Sequence, residues 1–130
     1  MEATIKLNRQ RIEGTWRVVA LEINGNKVGD EDAKKITVIF GADGSWNVDA
    51  DGNQVVQGTS TIDPIKTPKF IDYTPTTGDD KGKQSLGIYE VGENKLRFCV
   101  SPAEQARPTE FSSTAGSQHI LITFERAKAK

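Results

Sequence analysis

From position 14 onward, apolar and polar residues alternate with a period of two, the repeat of a strand with one buried face rather than of a helix. Eight segments carry the alternation: 15–23, 35–40, 45–50, 53–63, 69–74, 85–91, 95–100 and 119–126. In 35–40 the apolar set is Ile36, Val38 and Phe40, and in 45–50 Trp46 and Val48 oppose Ser45, Asn47 and Asp49. In 69–74, Phe70 and Asp72 face away from Ile71 and Tyr73. Turn chemistry punctuates these runs. Asn24-Gly25 stops the first, Gly41-Ala42-Asp43-Gly44 makes a hairpin, and Asp51-Gly52 is a type I′ signal. Pro64 and Pro68 bracket a corner, and Gly92-Glu93-Asn94 turns between the sixth and seventh runs.

Three longer connections remain, at 24–34, 75–84 and 101–118. Asp30-Glu31-Asp32 predicts one helical turn in the first, because acidic residues favour helix N-termini. The other two are polar and rich in Gly, Pro and Thr, with Phe111 as their main apolar anchor, and are expected to be the most mobile segments. Ahead of the alternation, 3–13 is the one helix candidate: Thr4 offers a cap, and Ile5 and Ile12 share a face. Together these elements predict an all-β fold, an eight-stranded antiparallel up-and-down β-barrel with a short N-terminal helical cap. Closure removes the exposed strand edges. A two-sheet sandwich is the alternative. In the barrel, the first and last strands are neighbours and run oppositely, so Trp16 is expected to meet Arg126 at the closed end, with Arg97 in 95–100 as the rival partner.

The 130 residues suit one domain over 1–130. Seventeen basic against eighteen acidic residues give a net charge of −1, so nothing points to nucleic acid. No apolar stretch approaches the ~20 residues of a membrane span. Residues 1–13 lack the apolar heart of a signal peptide, from which a cytoplasmic location is expected. Cys99 is the sole cysteine, so no internal disulfide is expected, and it reads as a buried strand residue.

The search for chemistry yields little. Asn47-Val48-Asp49-Ala50-Asp51-Gly52 imitates the start of a calcium loop, but Gly58 stands where the bidentate glutamate belongs, and a strand hairpin is the better reading. His119 is the only histidine, so no metal or cofactor is expected, and a Cys99–His119 nucleophile pair would need the two to meet across the last two strands. No serine elbow, phosphate-binding loop or His-Glu-x-x-His zinc motif occurs. The long loop holds Arg107-Pro108-Thr109-Glu110-Phe111. One account has Phe111 capping the barrel mouth and Arg107 paired with Glu110; the other makes Arg107 an anion-binding residue at the mouth. Trp46, Phe70, Tyr89, Phe98, Arg107 and Phe111 are the candidate ligand-binding residues, and Gly14, Trp16 and Arg126 the candidate barrel closure.

These residues carry a resemblance. Gly14-Thr15-Trp16 near the start, with Arg126 in the last strand, resembles the lipocalin and wider calycin pattern, in which a late arginine packs over the tryptophan of a glycine–x–tryptophan motif. More closely, the chain is similar to a bacterial lipocalin-like domain family best known from planctomycetes. The matching stretches are Gly14-Thr15-Trp16 with Asn24-Gly25, then Ile62-Asp63-Pro64 and Pro68-Lys69-Phe70-Ile71-Asp72. Gly87-Ile88-Tyr89-Glu90-Val91, Leu96-Arg97-Phe98-Cys99 and Arg107-Pro108-Thr109-Glu110-Phe111 follow in order. A departure from secreted lipocalins is that no helix and further strand follow 119–126. The resemblance implies the barrel and a small-molecule ligand, but no reaction. Three functions stand open. The first is a module binding one apolar or amphipathic ligand. The second is a structural or protein-interaction barrel with a filled lumen. The third is a barrel enzyme of cyclase or isomerase type using Asp72 and Glu90.

Overall fold

The computed structural model describes residues 2–29, 34–41, 44–50, 52–66, 69–78, 81–102, 105–114 and 116–126. The expectations placed on Asp30-Glu31-Asp32, Ala42-Asp43, Asp51 and Pro68 lie outside the described residues. Chain order is α1 (Glu2–Ile12), β1 (Gly14–Ile23), β2 (Asn26–Lys27), β3 (Ile36–Phe40), β4 (Ser45–Ala50), β5 (Asn53–Asp63), β6 (Lys69–Pro75), β7 (Ser85–Val91), β8 (Lys95–Val100) and β9 (Ile120–Arg126).

Every strand contact is antiparallel, in the order β1-β3-β4-β5-β6-β7-β8-β9, and β9 pairs back onto β1. This is a closed eight-stranded barrel. The two-residue β2 rides on β1 as an extra edge, through Glu22↔Lys27 and Ile23↔Asn26. Its hairpin turns at Asn24, whose φ of 52° lies in the left-handed region that asparagine tolerates.

One end of the barrel is closed. Helix α1 lies across it, with Asn8 and Ile12 buried and Ile5 packed on the core. Trp16 is fully buried and donates Nε1–H to the Ile12 carbonyl at 2.7 Å. Trp16 and Arg126 are cross-strand partners, and the guanidinium sits 4.2 Å from the indole ring centre. The same guanidinium donates to the carbonyls of Arg11 (2.6 Å) and Glu13 (3.0 Å), tying the end of α1 to the last strand. Gly14 makes the approach possible: its φ is +124°, and a Cβ there would stand 2.8 Å from Arg126 Nη1. The helix is pinned further by Arg9, which donates to the Ser60 carbonyl (2.8 Å), and by Asn8, whose Oδ1 accepts the Tyr89 hydroxyl (3.0 Å).

Above this floor the rings of Phe40, Phe98 and Phe124 meet edge to face, with centroids 5.3–6.4 Å apart. Along β3 and β4 the inward residues change from aromatic to aliphatic toward the other end. Along β3 they run Phe40, Val38, Ile36, and along β4 Trp46, Val48, Ala50. The closed end is therefore packed with rings, and the open end is lined largely by branched aliphatic side chains, with Trp46, Tyr73 and Pro75 beside them.

Candidate functional site

The open half of the barrel encloses a cavity of about 540 Å³. That size falls within the range of small-molecule pockets. Its walls are Val38 and Phe40 of β3, Trp46 and Val48 of β4, Val55, Val56 and Ser60 of β5, and Ile71, Tyr73 and Pro75 of β6. Phe98 and Val100 of β8 and Ile122 and Phe124 of β9 complete the far side, while Thr77 and Gly78 form part of the rim.

Two local devices shape this wall. The β4–β5 register slips between Val48↔Val56 and Asp49↔Gln54, leaving Val55 as the extra residue of a β-bulge. The bulge puts Val55 and its neighbour Val56 on the cavity together, where strict alternation would send one outward. Val55 remains 59% exposed, an apolar lip at the mouth. The second device is Gly58, opposite Trp46. A Cβ at Gly58 would collide with the Trp46 ring and the Thr74 carbonyl, so glycine is what lets the indole lie against the sheet. The indole donates Nε1–H to the Thr59 carbonyl (2.9 Å) and meets Tyr73 edge to face at 5.7 Å. Gly58, conspicuous in the sequence as the missing calcium-loop glutamate, thus serves the lumen wall.

The sequence-derived candidates divide between three places. Trp46 and Phe98 line the cavity. Tyr89 points inward but lies at the closed end, bonded to Asn8 and edge-on to Phe98. Burial holds its phenol well above the ordinary 10.0, with Arg9 pulling the other way.

Phe70, Arg107 and Phe111 lie on the outside of the barrel. There, the described residues 101–102, 105–114 and 116–119 lie as a strap over the outward face of β6, β7 and β8. Arg107 stacks on Phe70 (3.9 Å to the ring centre), pairs with Asp72 (2.6 Å) and donates to the Gly87 carbonyl (2.8 Å). Its carboxylate partner is Asp72 rather than the expected Glu110. Phe111 packs under the Arg97 guanidinium (4.3 Å) instead of capping the mouth. Arg97 also pairs with Glu90 at 2.7 Å. Asp72 and Glu90, the carboxylates an enzyme would need in the lumen, are therefore both outside it.

The strap is also tied where the sequence offered few anchors. Ser101 donates to the Leu86 carbonyl, and Asn24 Oδ1 accepts the backbone N–H groups of Gly116 and Gln118. Beneath it, Ile88 and Cys99 are fully buried although both face outward. Cys99 donates its S–H to the Ser112 carbonyl at 3.3 Å, and burial pushes its thiol up, against the field of Arg97. Its bond goes to Ser112 and not to His119, whose carbonyl accepts Asn24 N–H and the Ser113 hydroxyl.

Among the described residues no cluster of three metal-ligating side chains occurs, and no helix is long and apolar enough to cross a membrane. Asn47 and Asp49 sit in β4. Fold and cavity together define a small closed β-barrel with an apolar lumen. The chain matches no protein-family model, no curated protein and no solved structure.

Proposed function

We propose that the chain is a lipocalin-like binding module that holds one small apolar or amphipathic molecule in its lumen. The observation that carries this reading is the cavity of about 540 Å³ in the open half of the barrel. A structural barrel of this size would be filled by its own side chains. Here the described residues leave a cavity between the apolar walls, and the exposed Val55 lip stands at its mouth. Such a concave, mostly apolar site is what small ligands use. Gly14, Trp16 and Arg126 support the lipocalin-like assignment, because they make the closed end that pattern implies.

Native mass spectrometry of the chain purified from its own host tests the reading. The expected spectrum holds one added small-molecule mass per chain, lost on denaturation and absent from Val56→Trp, whose indole occupies the lumen. An added mass retained unchanged in folded Val56→Trp would contradict lumenal binding.

A further inference from the structure

We infer that the lumen selects an uncharged ligand and turns away its anionic counterparts, an inference that rests on the binding reading above. None of the described cavity-lining residues carries a charge at neutral pH. The Ser60 and Trp46 polar groups are already engaged. The Ser60 hydroxyl donates to the Gly44 carbonyl (3.1 Å), and the Trp46 indole N–H goes to Thr59. Thr77 Oγ1, at the rim, accepts Gln57 N–H at 3.1 Å.

The arginines around the barrel are committed elsewhere. Arg126 is spent on the closed end, and Arg97 and Arg107 are paired with carboxylates on the outer face. Arg9 lies below the floor. Phe40, Ser60 and Ile71 stand between it and the cavity, and the gap on its own side is about 10 Å³. That gap accommodates about one water and no headgroup. A carboxylate or sulfonate drawn inside would therefore lose its hydration and meet no counter-ion among the described lining residues, which is the costly case for a buried charge. A neutral aromatic or aliphatic body loses nothing comparable.

The test is competition against N-phenylnaphthylamine, a neutral fluorophore that brightens in apolar surroundings. Its competitors are anilinonaphthalene sulfonate and the matching sulfonamide, which share a ring system and a shape and differ in charge. The expected result is displacement by the sulfonamide at concentrations about tenfold or more below those the sulfonate needs. Equal potency of the two, or a better sulfonate, overturns the inference while leaving the lumen a binding site. Loss of the sulfonate's advantage in Arg9→Met would then trace the anion to Arg9. No binding of the fluorophore at all overturns the binding reading, and the inference with it. The comparison uses the wild-type chain, so it does not depend on any variant folding.

Discussion

The two ends of the barrel spend their residues differently. At the closed end nearly every group has a partner: Trp16 is bonded to Ile12 and covered by Arg126, Tyr89 is bonded to Asn8, and three phenylalanine rings interlock above them. At the open end the inward positions are Val48, Val56, Val100 and Ile122, which border empty space. The same alternation of inward and outward residues runs through both halves. Side-chain size, together with the Val55 bulge and Gly58, turns one into a plug and the other into a cavity. The difference teaches that stability should depend on the closed end and ligand capacity on the open one, and variants at each end can separate the two.

The largest effect belongs to Trp16→Ala, which removes a fully buried indole and the surface under Arg126. It should cost about 3–5 kcal/mol in denaturant unfolding, as large core truncations do. Gly58→Ala comes next, since the new methyl has a backbone carbonyl and the Trp46 ring in its way. A loss of roughly 1–3 kcal/mol is expected, the range for overpacking, with a change in tryptophan fluorescence.

Tyr89→Phe leaves Asn8 Oδ1 without its donor and should cost about 1 kcal/mol near neutral pH. Its pH dependence is more telling. The folded phenol holds its proton to higher pH than the unfolded one, so the folded state binds more protons above pH 10.0 and stability falls as pH rises from there. Below that value both states are protonated and the titration contributes nothing. Alkaline unfolding should thus be shallower in Tyr89→Phe, and an identical alkaline slope in both proteins would show that the buried phenol is not the cause.

Arg126→Lys should cost a similar amount, about 1 kcal/mol, because lysine keeps the charge but cannot lie flat on the ring while donating to two carbonyls. A double-mutant cycle with Trp16 should show coupling of about 0.5 kcal/mol or more. Additivity there would mean that the stacked geometry does not hold the end shut.

Much of this was legible in the chain. The observed bounds of β4, β5, β7 and β8 coincide with the alternating runs 45–50, 53–63, 85–91 and 95–100, because a period-two pattern ended by Gly, Asn or Asp leaves little choice of register. Trp16 and Arg126 followed from chain position and barrel closure alone. β2 escaped notice because Asn26 and Lys27 are both polar and too few to show a period. Helix α1 begins at Glu2, ahead of the proposed Thr4 cap, and Thr4 instead offers its carbonyl to Asn8.

The cavity was only half legible. Trp46 and Phe98 were among the candidates, but the alternation that predicts a lumen is the same whether the lumen is full or empty. The available signal was the run from aromatic to aliphatic inward residues toward the mouth along β3 and β4. The Val55 bulge could not be read, since one extra residue in a long run leaves no mark on composition. The strap misled the reading in another way. Phe111 was assigned to the mouth because a lone aromatic in a polar loop needs cover. The apolar outward residues Ile88 and Cys99 were the sign that the cover lay outside the barrel.

The central claim is that the open half of the lumen is the binding site. Titration calorimetry of N-phenylnaphthylamine into the wild-type chain and into Val56→Trp tests it most directly, with circular dichroism to show that both are folded. One molecule bound per wild-type chain and none in the variant is the predicted outcome. Equal binding by the two folded proteins, or none by the wild type, would contradict it.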